Sequence, residues 1–327
     1  MEQRSLGNTG RAVSAIGLGC ASMSEGYGTP NDEQSWQTLS AALESGVNFF
    51  DTADVYGDGH NEDLLGKFLQ DRRNRLVLAT KFGLVRKPGT PPSIDNSPQY
   101  VRSACEASLR RLKVDTIDLY YLQRRNLEVP IEETVGAMAD LVRAGKVRYL
   151  GLCEVSPETL RRAYAVHPIA AVQSEYSLWT RGPETQMLDT CRELNVSFVA
   201  YCPLGRAFLT GTVRNLDPLE KTDFRRRLPR FQSDALEKNL ELLQALETVA
   251  ATRNASLAQI ALAWLLGKHP HVIPIPGSKQ PQHVTENAAA ASLKLSSREI
   301  SELDALFTTS AVVGDRYPPP AMAGIEA

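Results

Sequence analysis

Residues 48–57, with the sequence NFFDTADVYG, join a short apolar run to a polar loop that ends in glycine. The apolar run, residues 48–52, has the length and composition of a buried β-strand. The amphipathic stretch at residues 61–69 follows the loop and predicts an α-helix. This part of the chain therefore predicts one strand–loop–helix unit, and the same alternation continues in both directions.

Eight apolar runs of strand length alternate with longer amphipathic stretches along the chain. The predicted strands are residues 15–18, 48–52, 76–81, 116–122, 149–153, 171–175, 197–202 and 272–275. The predicted helices are residues 33–45, 61–69, 98–112, 131–144, a helix that begins at Pro157 behind the N-cap Ser156, and residues 184–194, 236–252, 257–267 and 282–291. Residues 7–10 predict the turn of an N-terminal hairpin, and residues 296–307 predict one more helix.

Short strands that are apolar nearly throughout are typical of a parallel sheet covered on its faces. Eight of them, each followed by a helix, predict a (β/α)8 TIM barrel of the α/β class with an N-terminal β-hairpin and an extra C-terminal helix. The alternative, a doubly wound open sheet, favours Gly-x-Gly-x-x-Gly after the first strand. Gly17 and Gly19 match, but Ser22 stands at the third position. Because no linker, repeat or low-complexity tract interrupts residues 1–327, we expect one domain.

Composition and charge exclude several classes of function. The net charge is −2, which gives no electrostatic case for binding nucleic acid or an anionic membrane. The N-terminus lacks the apolar core of a signal peptide, and no run approaches the roughly 18 apolar residues of a membrane span. The five cysteines are scattered and odd in number, so we expect neither a disulfide framework nor a zinc site. A cytoplasmic location fits this pattern.

Polar side chains follow two neighbouring predicted strands. Asp51 and Tyr56 follow the second strand, and Lys81 ends the third. The active site of a barrel is built at the carboxyl ends of its strands, so these side chains are expected to converge. A phenol with a pKa of about 10 is a poor acid at neutral pH, but a nearby ammonium group lowers that pKa and a carboxylate holds the ammonium in place. The three residues therefore predict a proton donor; the alternative is an ordinary ion pair beside a rim aromatic.

The pattern is similar to that of the aldo-keto reductases over nearly the whole chain. The motifs that carry the resemblance are residues 51–57 with Glu62 and Gly66, and residues 203–206 with residues 209–211. The resemblance implies hydride transfer from a nicotinamide to a carbonyl group. It also implies that Tyr56 protonates the developing alkoxide, that Lys81 lowers the pKa of Tyr56, and that Asp51 orients Lys81.

The resemblance further implies a set of cofactor-binding positions. They are Gly19, Asp51, Cys153, Gln173, Tyr201, Leu204, Gly205, Arg206, Gly277, Ser278, Lys279, His283, Glu286 and Asn287. In this set Gln173 holds the nicotinamide amide, Tyr201 stacks on the nicotinamide ring, and the two glycine-containing loops cover the phosphates. Alternatively, Gln173 and Tyr201 are core side chains and residues 277–278 only a turn, although a turn that leads into a helix is also a ready anion site.

One position departs from the family pattern at the centre of the site. Gln123 follows the fourth strand, where members usually carry a histidine that donates a hydrogen bond to the substrate carbonyl. Glutamine keeps an amide donor but has no titratable proton. Three interpretations follow: a slower reductase, a reductase whose substrate fits glutamine, or a cofactor-bound protein in which turnover matters little, as in potassium channel β subunits. A deliberate replacement of histidine is a fourth.

Lesser departures concern the choice of cofactor. Cys153 stands where many members have serine, and Gln280 stands where many have arginine beside the adenosine phosphate, with His283 near another arginine position. Lys279 and Arg206 remain as cations for a 2′-phosphate. We therefore predict NADPH/NADP⁺, with NADH or dual use left open.

Two functions fit these residues. The first is an NADPH-dependent aldo-keto reductase that reduces aldehydes or ketones, or runs in reverse, without a metal. The residues expected to face the substrate are Tyr27, Tyr56, Gln123 and Trp179, with ordinary packing as the alternative for Tyr27 and Trp179. The second is a nicotinamide-binding sensor with vestigial catalysis. A metal-dependent barrel hydrolase is disfavoured because no His/Asp cluster ends the strands. The carbonyl substrate, the direction of the reaction and the oligomeric state are left open.

Overall fold

The N-terminal hairpin closes one end of the structure, a computed structural model that describes residues 1–86 and 89–326. Strand β1 (Gln3–Ser5) pairs antiparallel with β2 (Ala12–Ser14), as the glycine-bounded turn predicted. Gly7 has φ +53°, and a Cβ placed there would lie 2.5 Å from the carbonyl oxygen of Ala170, so glycine is required at this contact. The Gly7 amide also donates to Ser197 Oγ (2.7 Å). The hairpin thus packs against the amino-terminal ends of barrel strands.

Eight parallel strands form the central sheet. They are β3 (Leu18–Gly19), β4 (Phe49–Asp51), β5 (Val77–Phe82), β8 (Ile117–Leu122), β9 (Val147–Cys153), β10 (Ile169–Glu175), β11 (Ser197–Tyr201) and β12 (Val272–Pro274), and the antiparallel pair β6 (Leu84–Val85) and β7 (Ser93–Ile94) follows β5. The first and last barrel strands meet, because the amides of Gly17 and Gly19 donate to the carbonyls of Pro274 (2.9 Å) and Pro276 (3.3 Å). The (β/α)8 barrel is confirmed.

Helices cover the outside of the barrel. They are α1 (Asp32–Glu44), α2 (His60–Leu69), α3 (Pro98–Leu112), α4 (Ile131–Arg143), α5 (Pro157–Val166), α6 (Met187–Glu193), α7 (Ser233–Arg253), α8 (Leu257–Lys268), α9 (Pro281–Ala289) and α10 (Ser297–Leu306). The predicted cap is present at α5, where Ser156 Oγ accepts from the Thr159 amide (3.2 Å). Helix α10 is the expected C-terminal helix, and α7 is a second addition that precedes the barrel helix α8. In the described ranges no helix is long and apolar enough to span a membrane.

Several boundaries differ from the prediction by one to three residues, and two of these differences have a local cause. The first strand was expected at residues 15–18, but only Leu18 and Gly19 pair with β4, because the preceding residues lead out of the hairpin. The sixth helix begins at Met187 rather than at residue 184, since residues 182–184 form a 3-10 turn around Pro183. Only the first of these differences lies in a buried apolar run, because Ala15 and Ile16 are buried although they precede β3.

Two apolar layers fill the structure. The inner layer fills the barrel and includes Phe49, Val77, Leu119, Tyr121 and Val199. The outer, larger layer lies between the sheet and the helices. This packing leaves the carboxyl ends of the strands as the place where polar side chains meet.

Candidate active site

Asp51, Tyr56 and Lys81 meet at the carboxyl ends of β4 and β5. Lys81 Nζ forms an ion pair with Asp51 Oδ1 and donates to the carbonyl of Thr52 (2.8 Å) and to the hydroxyl of Tyr56 (3.4 Å). The side chains of Lys81 and Asp51 are 1% and 3% exposed, whereas Tyr56 is partly exposed. The structure thus brings the predicted trio together. The phenol of Tyr56 is the member that reaches solvent.

Burial favours the protonated form of the Tyr56 phenol. Burial raises the pKa of Tyr56 to about 12, although the Lys81 ammonium opposes the rise. At Lys81 burial disfavours the ammonium, but Asp51 and Tyr56 outweigh burial and raise the pKa of Lys81. The expected net lowering of the Tyr56 pKa is therefore not seen in the protein alone; Lys81 only limits the rise. A protonated phenol beside a fixed cation can donate a proton to a developing oxyanion.

Gln173 and Cys153 lie near the Asp51 carboxylate on two strands, β10 and β9, that are adjacent to each other but not to β4. Gln173 Nε2 donates to Asp51 Oδ2 (2.8 Å), so both carboxylate oxygens of Asp51 are held. Cys153 is the register partner of Gln173 across β9 and β10, and both side chains are buried. Burial raises the pKa of the Cys153 thiol to about 12, which leaves a neutral and weak donor.

Gln123 lies one residue beyond β8, beside β5. The backbone N–H of Gln123 donates to the backbone carbonyl of Phe82 (2.8 Å), which continues the hydrogen-bond ladder between β8 and β5 by one residue. The Gln123 side chain is buried, and its Oε1 has no hydrogen-bond partner among residues 1–86 and 89–326. A buried amide with an unpaired end is costly unless a bound molecule completes it, so the position is suited to contact a ligand.

Tyr201 ends β11, next to the loop that begins at residue 203. Its hydroxyl donates to Glu154 Oε1 (2.6 Å) and lies 3.1 Å from the Tyr317 hydroxyl. Arg206 follows Leu204 and Gly205 and donates to Glu175 Oε2 (2.6 Å). The Arg206 guanidinium also lies 4.7 Å from the centre of the Tyr317 ring. Arg206 is therefore paired with an acidic side chain and an aromatic ring at the mouth.

The loop after β12 leads directly into helix α9. Gly277 bridges to Gly19, and Ser278 Oγ accepts from the Gln280 amide (3.0 Å) just before the helix begins. Ser22 Oγ is buried without a partner in the described part of the chain and lies 3.6 Å from where a Cβ on Gly277 would be. Phosphate groups of a dinucleotide fit this place for three reasons. Gly19 and Gly277 leave the backbone accessible, the Ser22 hydroxyl lies nearby, and the N-terminus of α9 offers free N–H groups.

The remaining predicted cofactor residues lie around this loop. Lys279 Nζ contacts the carbonyl of Tyr27 and lies 3.4 Å from that of Thr29. His283 and Glu286 are on α9, where His283 is exposed, and Asn287 is buried on the same helix. The cation expected at the adenosine phosphate is thus present at the helix entrance.

The two aromatic residues expected along the substrate wall differ in their packing. The Trp179 ring is 2% exposed, stacks on Phe208 with ring centres 4.0 Å apart, and meets the edge of Phe231 at 5.4 Å. Its ring faces contact protein, as in the packing alternative. Tyr27 is partly exposed beneath the Arg225 guanidinium, 5.3 Å from its ring centre.

The sequence pointed to neither Arg316 nor Tyr317. Both lie in the C-terminal tail, where Arg316 binds Glu154 at the end of β9. The only local signal is an Arg-Tyr pair inside a stretch rich in glycine and proline. Such a signal is too weak to assign a contact across 162 residues of chain.

Comparison with known proteins gives consistent matches. A model of the Aldo/keto reductase family matches residues 15–307. The chain is 42% identical to "Aldo-keto reductase yakc [NADP(+)]" of Schizosaccharomyces pombe, over 97% of this chain and 94% of that protein. A glycerol dehydrogenase structure from Gluconobacter oxydans is similar with a TM-score of 0.86 and 31% identity, covering 97% and 98% of the two chains. An aldo/keto reductase from Klebsiella pneumoniae, in complex with NADP and acetate, has a TM-score of 0.73 and 30% identity, with 97% and 99% covered.

Proposed function

The chain belongs to the aldo/keto reductase family of oxidoreductases, and we propose that it moves a hydride between NADPH and an aldehyde or ketone, with Tyr56 as the proton donor. The observation that carries the proposal is the contact of Lys81 Nζ with both Asp51 and the Tyr56 hydroxyl. A buried ammonium that is fixed by a carboxylate and directed at a phenol is typical of an active site, because it can stabilise the phenolate that remains after proton transfer.

Tyr56 supplies the proton in this proposal. NADPH, when bound, supplies the hydride. As the carbonyl oxygen gains negative charge, the Tyr56 hydroxyl passes its proton to that oxygen, which yields the alcohol and a tyrosinate. Lys81 stabilises the tyrosinate electrostatically, and Asp51 keeps Lys81 in place. In the alcohol-oxidising direction the same groups act in reverse, with the tyrosinate accepting the proton.

Gln123 provides the second contact to the carbonyl oxygen in this proposal. Its amide can donate a hydrogen bond to that oxygen, in place of the imidazole that other members use. A glutamine donor carries no positive charge, so the oxyanion gains less stabilisation and turnover is slower. Because Gln123 has no titratable proton where other members carry histidine, the alternative of a nicotinamide-binding sensor with vestigial catalysis stays open.

Cofactor binding is proposed at the loops on either side of the barrel closure. Residues 277–279 and the start of α9 would hold the adenosine phosphate end, with Lys279 as the cation for a 2′-phosphate. Gln173 and Cys153 would hold the carboxamide, and Tyr201 would stack on the nicotinamide ring. The names of the Schizosaccharomyces pombe and Klebsiella pneumoniae relatives, which mention NADP, support this choice of cofactor.

The test compares Tyr56→Phe with the unmodified protein and with Tyr164→Phe. Tyr164 has its hydroxyl hydrogen-bonded to Asn8 near the hairpin and serves as the matched control. NADPH oxidation is followed by absorbance over a panel of aldehydes and ketones, and NADPH binding by fluorescence titration. Tyr56→Phe should bind NADPH and lose at least about 10²-fold in turnover, since it lacks the acid. Undiminished turnover would refute the role of Tyr56, and tight binding with no turnover by the unmodified protein would favour the sensor.

A further inference from the structure

The C-terminal tail, residues 308–326, returns from the outer helices to the mouth of the barrel. The Val313 amide donates to Asn239 Oδ1 (2.9 Å), and Arg230 Nε donates to the carbonyl of Gly314 (3.1 Å). At its far end, the Glu326 amide donates to the carbonyl of Glu154 (2.8 Å). The tail therefore crosses the carboxyl ends of the strands and is attached on both sides.

Glu154 is the residue on which these contacts converge. It follows β9, has φ +52°, and is completely buried. Its carboxylate binds Arg316 through two hydrogen bonds, Nη1 to Oε1 and Nη2 to Oε2, each 3.1 Å long. The same carboxylate accepts from the Tyr201 hydroxyl (2.6 Å) and from the Glu175 amide (3.1 Å). One buried carboxylate thus links the tail to the ends of three neighbouring strands.

Tyr317 adds a second link between the tail and Tyr201. The two hydroxyls lie 3.1 Å apart, and the Arg206 guanidinium covers the Tyr317 ring at 4.7 Å. Arg206 belongs to the loop of residues 204–206, which the resemblance to the family assigns to the phosphates of the cofactor. The tail consequently contacts the phenol of Tyr201 on one side and the cofactor loop on the other.

We propose that Glu154 is a positioning residue that fixes the ring of Tyr201 for nicotinamide binding, and that Arg316 makes the C-terminal tail part of the cofactor site. This inference rests on the proposed function, because the role of Tyr201 comes from it. Tyr201 can rotate about two side-chain bonds, and the hydrogen bond to Glu154 selects one orientation of its ring. Glu154 can hold that orientation only while its own charge is compensated.

The charge pair explains why the tail and Tyr201 act together. A buried carboxylate that loses its cation is left with an uncompensated charge, which disturbs the acceptor that Glu154 offers to Tyr201. The tail therefore affects the orientation of the Tyr201 ring, on which the nicotinamide would stack, without contacting Asp51, Tyr56 or Lys81. Hydride transfer is sensitive to the position of the nicotinamide relative to the carbonyl carbon. A Tyr201 ring that is free to rotate should therefore lower the rate of transfer more than the affinity for the carbonyl substrate.

The experiment uses the full chain with Arg316→Gln, Glu154→Gln, the double variant, and Arg298→Gln as an exposed control that pairs with Glu302 on α10. The first readout is the Kd of NADPH and the emission of bound NADPH, both by fluorescence titration. The second is hydrogen–deuterium exchange of residues 314–326 with and without NADPH. The third is the single-turnover rate of 4-nitrobenzaldehyde reduction. Steady-state kinetics on the same substrate give kcat and KM.

Each single variant should raise the Kd of NADPH and lower the single-turnover rate by about 10-fold, with KM for the aldehyde changed less than threefold. NADPH should slow exchange in the tail of the unmodified protein but not in the single variants. The double variant should recover most of the loss, because no unpaired buried charge remains and the amide oxygen introduced in place of the Glu154 carboxylate can still accept from Tyr201. Values within twofold of the unmodified protein in both single variants would overturn the inference.

Two further outcomes keep this result distinct from the proposed function. If the unmodified protein binds no NADPH, the proposed function fails and takes the inference with it. If a single variant does not fold, as judged by circular dichroism, Tyr317→Phe decides, because it preserves the ion pair and removes only one hydroxyl. That variant should weaken NADPH binding about threefold, and an unchanged Kd would contradict the coupling of the tail to Tyr201.

Discussion

Replacing Lys81 by methionine tests whether its ion pair with Asp51 serves catalysis or stability. The substitution removes a cation that is 1% exposed and leaves the Asp51 carboxylate, 3% exposed, with its hydrogen bond from Gln173. Breaking a buried pair in this way costs about 3–5 kcal/mol. With about 2.1 cal/mol/K of unfolding entropy per residue, a chain of 327 residues should melt roughly 4–7 °C lower. Reductase turnover should fall below detection because Tyr56 loses its electrostatic partner.

The double variant Asp51→Asn/Lys81→Met separates the two effects. It contains no buried charge at this position, and the asparagine side chain that replaces Asp51 can still accept a hydrogen bond from Gln173. At least half of the lost stability should return, whereas activity should not. Lys146→Met provides the matched control, because Lys146 pairs with Glu106 at an exposed site, where such a pair contributes little to stability.

The pH dependence of Lys81→Met gives an internal check. Burial raises the pKa of Asp51, and in the variant the opposing effect of Lys81 is absent. An acid whose pKa is higher in the folded protein is destabilising once it ionises, so the penalty is lost at low pH and grows as the pH rises. Thermal and urea unfolding should therefore show a smaller deficit at pH 5 than at pH 8. An equal deficit at both pH values, or a double variant no more stable than the single one, would refute the reasoning.

Two other predictions concern Gln123 and Asp54, which follow the carboxyl ends of β8 and β4. Gln123→His should raise kcat/KM for simple aldehydes by about 10-fold or more, as a stronger donor to the oxyanion would, and unchanged steady-state kinetics would contradict the proposed contact. Burial and the neighbouring Glu62 carboxylate raise the pKa of Asp54 from 3.8 to about 7, which corresponds to at most about 4 kcal/mol of destabilisation at alkaline pH. Asp54→Asn should therefore stabilise the protein increasingly from pH 4 to pH 7 and by a constant amount above; a melting-temperature gain independent of pH would show that the pKa of Asp54 is not raised.

The barrel and the meeting of Asp51, Tyr56 and Lys81 could be predicted because both depend on local patterns. The strand and helix periods fall within segments of about ten residues, and parallel strands necessarily bring their carboxyl ends together. Asp51 and Lys81 end adjacent strands, so the ion pair needed no knowledge of distant contacts. The start of β3 was misplaced because a buried apolar run looks the same whether or not its backbone joins the ladder.

The contacts of Trp179 and Glu154 could not be predicted for a different reason. Trp179 packs between Phe208 and Phe231, which belong to a long irregular connection without periodicity. Glu154 meets Arg316 only because the tail folds back across the barrel. Neither the path of such segments nor the partner of a charged residue is encoded in spacing. The net rise in the Tyr56 pKa likewise depends on how completely the loops enclose the phenol.

The two ends of the barrel differ in how they use buried polar and charged groups, whose desolvation costs stability. At the amino end, Arg4 Nη2 donates to the carbonyl of Leu266 (2.7 Å), so a buried cation is used to join the hairpin to a helix. At the carboxyl end, the Asp51–Lys81 pair and the unpaired amide oxygen of Gln123 occupy positions where apolar side chains would fill the space with less desolvation. Natural proteins depart from consistent packing mainly where function requires it. We therefore expect the costly polar groups at the carboxyl end to be the ones on which the proposed chemistry depends, and stability measurements on neutral replacements test this independently of any substrate.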